Sequence, residues 1–251
     1  MHTHTSIPWW LFIGLGLVAA LYCFAVVQQY RIFHYWSLWR TTAFVAGISL
    51  LSIAFSAPLE HRAHHSFTAH MVQHLLIGMF APIGLVSGKP ITLLLRTLPV
   101  VAARRITSVL NTKVCYWLVH PVTTLILNIG GMYALYLTPL YEISLHNTTI
   151  HYLVHWRFLV AGYLFVWSLI QADPIPHRPH YQFRISILFV SIAAHALLAK
   201  LIYAQIIPID LGYPLIEIQT AAKMMYYGGD VAEIIIALLL FEKLYQRRKT
   251  N

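Results

Sequence analysis

The sequence predicts an all-α, polytopic membrane protein: one seven-transmembrane-helix bundle over residues 1–251, N-terminus outside and C-terminus inside. Three observations predict it. The chain is 59% hydrophobic and only 10% charged, whereas a soluble domain carries about 25% charge. Apolar runs recur at roughly the 20-residue length that a helix needs to cross a bilayer. Lys and Arg gather on alternate connections, as they do in loops facing the cytoplasm. The composition excludes a soluble enzyme, a disordered chain and a nucleic-acid-binding domain. The net charge of +9 lies in the flanks of apolar runs, so it is a topology signal and not a recognition face for nucleic acid.

The seven runs lie at roughly 8–28, 41–57, 69–88, 119–138, 152–171, 184–204 and 222–241, with lengths that suit helical spans. The first has no basic segment before it and no small-residue cleavage pattern, so it reads as a retained helix and not a signal peptide. The third contains Ala81-Pro82-Ile83-Gly84, which predicts a kink, and it ends at Gly88-Lys89-Pro90. The Ile91–Arg96 stretch that follows is too short to span and predicts an interfacial helix. In the fourth, His120 before Pro121 reads as a helix-start residue. The fifth opens on a histidine pair. The sixth carries His195 in its outer half and Lys200 near its outer end. The seventh carries Gly228-Gly229, which permits close helix approach. Cys23 and Cys115 form no C-x-x-C, so neither a disulfide framework nor a thiol-based metal carrier is indicated.

Thirteen of the 17 Lys and Arg fall on one side of this arrangement. The other four are Arg62, Arg157, Lys200 and Lys223. Histidine shows the opposite bias. Of 15 histidines, His34, His120, His177 and His180 fall on the inner side. The outer side takes His2, His4, His61, His64, His65, His70, His74, His146, His151, His155 and, within the sixth run, His195. Histidine is mostly neutral at pH 7, so the positive-inside effect does not impose this. Polar groups in or near a bilayer are costly and tend to be functional.

Two motifs concentrate these imidazoles. His61-Arg62-Ala63-His64-His65 is followed by His70-Met71-Val72-Gln73-His74, and His151-Tyr152-Leu153-Val154-His155 opens the fifth run. Each H-x-x-x-H puts two rings on one helical face. The two pairs lie at matched depth, so they can close a four-nitrogen site between two helices, with no carboxylate competing between them. Met71 can join the first face, and His146 lies five residues before His151. Neither pair contains the Glu of H-E-x-x-H, which argues against a zinc protease. Imidazole with nearby thioether suits copper in either oxidation state, and Met224 and Met225 offer further soft sulfur. The alternative is that the histidines sit at headgroup level as amphipathic interface residues. A third constellation, Tyr226-Tyr227-Gly228-Gly229-Asp230-Val231-Ala232-Glu233, puts two carboxylates inside an apolar run. They must be neutralised, paired or metal-bound, and Lys200 is the expected cationic partner.

His70-Met71-Val72-Gln73-His74-Leu75-Leu76, Ala81-Pro82, Gly88-Lys89-Pro90 and Leu94-Leu95-Arg96-Thr97-Leu98-Pro99 together resemble the core of the CtaG family, the cytochrome c oxidase assembly factors of bacterial caa-type oxidases. His151-Tyr152-Leu153-Val154-His155-Trp156-Arg157-Phe158, then Gly162 and Phe165-Val166-Trp167, and Tyr226-Tyr227-Gly228-Gly229-Asp230, are similar to that family in the same order. The resemblance covers about 40–242. It implies a seven-span protein of the bacterial plasma membrane, not itself an enzyme, that matures the oxidase by delivering or inserting copper at the CuB centre. The implied partners are the oxidase subunit carrying CuB, an external copper donor and the lipid bilayer, with no nucleic acid. Carried over by position, His70, His74, His151 and His155 are the candidate metal residues.

Three rival readings compete. His61-Arg62-Ala63-His64-His65 matches an H-x-x-H-H box of membrane di-iron oxygenases, but a second box is missing and such enzymes place theirs on the cytoplasmic face. A b-type cytochrome would pair His195 with a histidine on a facing helix. A copper transporter would need ligands spaced through the bilayer, and here they concentrate on one face.

Overall fold

The computed structural model describes residues 9–31, 35–175, 178–207 and 212–250, with side chains through 246. His2, His4, His34 and His177 lie outside the described residues. Among the described residues the regular structure is helical and contains no strand.

Helix α1 (Trp9–Arg31) is apolar around its whole circumference and buries only Tyr22, Val26 and Gln29. Trp9, Ile13, Leu17, Leu21 and Phe24 all face outward, a surface suited to hydrocarbon and not to water. Tyr22 anchors it to the following helices. The ring stacks on Phe44 at 3.8 Å and the hydroxyl donates to the Gly88 carbonyl at 2.7 Å.

Helices α2 (Leu38–Ala54) and α3 (Ala57–His65) meet at a bend of 52°. Pro58 causes it locally. A proline nitrogen has no hydrogen to return to the carbonyl four residues back, here that of Ala54. That carbonyl instead accepts the Gln73 side-chain amide at 2.9 Å.

Helix α4 (Phe67–Leu75) continues through a widened π-turn (Leu76–Phe80) into α5 (Ala81–Ser87). The kink expected at Pro82 therefore takes the form of a π-turn. Pro82 cannot close an ordinary turn onto the Gly78 carbonyl, and inserting one residue into the turn is a recognised solution. Gly162 of a later helix packs straight onto that carbonyl, where any Cβ would overlap it.

The interfacial helix expected after Gly88 is α6 (Pro90–Thr97). Lys89 ahead of it is left-handed, with φ 50°. Asp173 caps its N-terminus, accepting from the Thr92 amide at 2.7 Å, the Thr92 hydroxyl at 2.5 Å and the Ile91 amide at 3.3 Å. Burial pushes the Asp173 carboxyl above its ordinary range, against the pull of the Thr92 and Ile91 donors. Helices α7 (Val100–Leu110) and α8 (Lys113–Leu118) follow and bury no residue.

The fourth apolar run becomes α9 (Pro121–Leu125), a second π-turn (Ile126–Gly130) and α10 (Gly131–Leu137). Prolines 121 and 139 bound it. The 17 residues between reach about 25 Å at 1.5 Å per residue, short of the ~30 Å hydrocarbon core. The fourth run nevertheless lies alongside α12, from Thr124 at Ser168 to the Leu127 carbonyl at Arg157. Among the described residues five helices are long and apolar enough to cross a membrane, or six if the bent α2–α3 pair is one span. They are α1, α2 with α3 as the bent pair, the 67–97 segment, α12 (Thr148–Ile170), α13 (Tyr181–Tyr203) and α14 (Leu215–Thr250). Short α11 (Leu140–His146) precedes α12.

Candidate metal centre

The two histidine pairs share a depth because their helices start in the same way. Ser66 caps α4, its Oγ accepting from the Ala69 amide at 3.4 Å. Asn147 caps α12, its Oδ1 accepting from the Thr149 and Ile150 amides at 3.0 and 3.2 Å. Side chains of this type satisfy the orphan N–H groups of a first turn. Counted from each cap, the histidines fall at the fourth and eighth positions in both helices. Glu217 of α14 reinforces the first cap, accepting from the Ser66 hydroxyl at 2.7 Å and the Phe67 amide at 2.8 Å.

His70, His74, His151 and His155 are each only 3% exposed. They are interior residues, and the headgroup-level reading does not describe them. The rings of His151 and His155 are 4.3 Å apart by centroid, and those of His70 and His155 are 6.3 Å apart. The four do not all aim at one point. His151 Nε2 lies 2.9 Å from Glu60 Oε1, while His155 Nδ1 lies 2.8 Å from the His151 carbonyl. His74 Nε2 turns the other way and meets Met132 Sδ at 3.2 Å. Both ring nitrogens of His70 are buried without a hydrogen-bond partner, although buried polar groups are normally paired.

Glu60 overturns the expectation that no carboxylate competes between the pairs. The α2–α3 bend brings it to the start of α12, 6% exposed. Gln73, already held by the Ala54 carbonyl, donates to Glu60 Oε2 at 2.6 Å. His64, one turn beyond Glu60 on α3, brings its Nε2 to 3.9 Å from Glu60 Oε1. One ligand atom each from Glu60, His64 and His151 lie within 4.8 Å of one another.

Soft and aromatic groups line the inner side. Met71 and Met132 are buried, and the Tyr136 hydroxyl points at Met71 Sδ at 3.5 Å. The Tyr141 ring lies 4.6 Å from that of His70, and Phe158 lies 4.4 Å from His74. Arg157 is turned away from the imidazoles. Its guanidinium donates to the Leu127 carbonyl in the second π-turn at 2.5 Å.

Other expected residues stand apart. His146 is exposed at the end of α11 and is not gathered into the buried group. His195 of α13 is 1% exposed, with both ring nitrogens unpartnered. It fits against Gly229, where a Cβ would overlap its ring. Glu233 is 2% exposed and Asp230 partly buried. The expected pairing with Lys200 does not form: among the described residues no ion pair joins Lys200 to either carboxylate. Lys200 is exposed and sits 5.5 Å from the centre of the Tyr226 ring. A flexible lysine near a helix end keeps its ammonium in polar surroundings more cheaply by snorkelling outward than by entering the bundle. Met225 is fully buried and Met224 partly so, within the apolar core clusters.

Sequence reasoning missed Glu60 and Met132 and left His64 out of the ligand set. Glu60-His61-Arg62-Ala63-His64 did carry a signal, an acid and an imidazole one turn apart. Met132 carried none, since only the packing of α10 on α4 brings it to His74.

The family model described as cytochrome c oxidase caa3 assembly factor (Caa3_CtaG) matches residues 20–247. The chain belongs to that family. The match extends the CtaG resemblance to nearly the whole sequence and takes in every histidine of the buried group. Similar proteins include an uncharacterised protein of Mycobacterium bovis, 34% identical over 168 residues, which cover 64% of this chain and 25% of that one. An uncharacterised protein of Mycobacterium leprae is 32% identical over 191 residues, covering 73% of this chain and 28% of its own. The chain thus spans about a quarter of the length of the curated relatives it matches. No solved structure matches it.

Proposed function

We propose that this CtaG-family chain assists assembly of a bacterial haem-copper cytochrome c oxidase by holding copper as cargo and passing it to the CuB centre. The observation that carries the reading is the buried nitrogen and sulfur set on α4, α10 and α12. His70 has two unpartnered ring nitrogens, His74 faces the Met132 sulfur, and His155 lies beside them with Nδ1 held by the His151 carbonyl. Imidazole with thioether is a donor set for copper, and buried thioether favours Cu(I). The role is non-catalytic. The partners are the oxidase subunit carrying CuB and an external copper donor. The Lys and Arg distribution supports an outward-facing site in a multi-pass plasma-membrane protein, with the N-terminus outside and the C-terminus inside.

Cu(I) binding to the purified full-length protein under reductant tests the reading. We expect one tightly held Cu(I), lost in the His70→Ala, His74→Ala double variant while the protein still inserts in the membrane. Full occupancy in that variant would overturn the buried site.

A further inference from the structure

We propose that Glu60, His64 and His151 form a second metal site, separate from the buried histidine–methionine set, that takes a divalent first-row transition ion such as Cu(II) or Zn(II). The site goes beyond the cargo reading and stands without it, because it rests on the donors alone.

The three donors come from two elements that the chain brings together for other reasons. Glu60 and His64 share a face of α3 one turn apart, and His151 opens α12 against them. The His64 and His151 rings lie nearly parallel, with centroids 4.8 Å apart, so both Nε2 atoms reach the same carboxylate oxygen. In a tetrahedral zinc-type centre, metal–nitrogen and metal–oxygen bonds of about 2.0–2.2 Å put neighbouring ligand atoms about 3.3 Å apart. The 2.9 Å edge from His151 to Glu60 opens slightly to admit an ion, and the 3.9 Å edge from His64 closes slightly. Both are side-chain adjustments.

The surroundings are those of a ligand set. Gln73 donates to Glu60 Oε2 and is itself fixed by the Ala54 carbonyl. Oε1 is therefore oriented towards the imidazoles, which is the role outer-shell hydrogen bonds play at metal sites. Three protein donors leave a fourth position open, as at zinc sites that exchange ligands. Access is provided by His64, whose side chain is 23% exposed, next to exposed His61 and His65. Two imidazoles and a carboxylate, with no sulfur, favour a divalent ion over Cu(I). The set therefore differs in chemistry from the buried group of His70, His74 and Met132.

The test uses full-length protein in detergent micelles, titrated with Cu(II) and read by electron paramagnetic resonance and by competition with a chelator of known affinity. The wild type should show one Cu(II) with two imidazole nitrogens and oxygen. Glu60→Gln should weaken binding by about 10-fold or more, and His64→Ala by about 100-fold with loss of one nitrogen from the spectrum. His146→Ala, on an exposed helix end, should change neither. His64 is part-exposed, so its variant should keep the wild-type melting temperature, and binding can then be compared between folded proteins. Wild-type affinity in both Glu60→Gln and His64→Ala would overturn the proposal, as would a wild-type protein that binds no Cu(II). Failure here leaves Cu(I) binding at His70 and His74 untouched, so the two readings fail separately.

Discussion

Removing the Glu60 carboxylate isolates the interaction that joins α3 to α12. Glu60 accepts from Gln73 at 2.6 Å and meets His151 Nε2 at 2.9 Å, with all three residues buried. Hydrogen bonds to a charged group contribute about 1.5–3 kcal/mol each, and orphaned partners add their own desolvation cost. In Glu60→Ala, Gln73 keeps the Ala54 carbonyl but His151 Nε2 loses its partner, so we expect a loss of about 3 kcal/mol. Glu60→Gln keeps one acceptor and should cost about 1 kcal/mol. At about 2–4 °C per kcal/mol for a chain of this size, the melting temperature should fall about 6–12 °C in the alanine variant. The glutamine variant should lose only about 2–4 °C by the same scaling. Thermal unfolding of metal-free protein in detergent, followed by circular dichroism, reads both. Equal melting temperatures for Glu60→Ala and wild type would refute the reasoning, because a buried hub cannot be removed without cost.

Other substitutions probe the close helix contacts. Gly162→Ala pushes a methyl into the Gly78 carbonyl, which cannot rotate away, and should cost about 3 kcal/mol, the upper part of the overpacking range. Gly78→Ala, whose nearest neighbours would be 3.8 Å away, should change the melting temperature little. Gly229→Ala drives into the His195 ring and should cost about 1–3 kcal/mol, with a shift in the His195 ring resonances by NMR; unchanged resonances would count against the contact. For orientation, a cysteine introduced at Asn147 should react with a membrane-impermeant reagent from outside, while Cys115 should not. Reaction of both from one side would contradict the proposed topology.

The parts of the centre legible in the sequence are those set by local rules. The spacing of His70 to His74 and of His151 to His155 fixes a shared face on each helix. Glu60 was not legible because its contact with His151 spans 91 positions and depends on the bend at Pro58. Met132 reaches His74 only through packing. In the fourth run, apolar composition alone does not register the π-turn at Ile126–Gly130 or the bounds that prolines 121 and 139 set on its length. Lys200 was assigned to the carboxylates because burying an unpaired charge is costly, but a long side chain escapes that cost by reaching outward.

If the chain supplies copper to an oxidase, the metal and haem content of the oxidase isolated from cells lacking this protein will show it. Polypeptides and haem should stay at normal levels, CuB copper should be absent, oxygen uptake should be lost, and added copper should partly restore both. An oxidase that keeps its full copper and activity without the protein would contradict it.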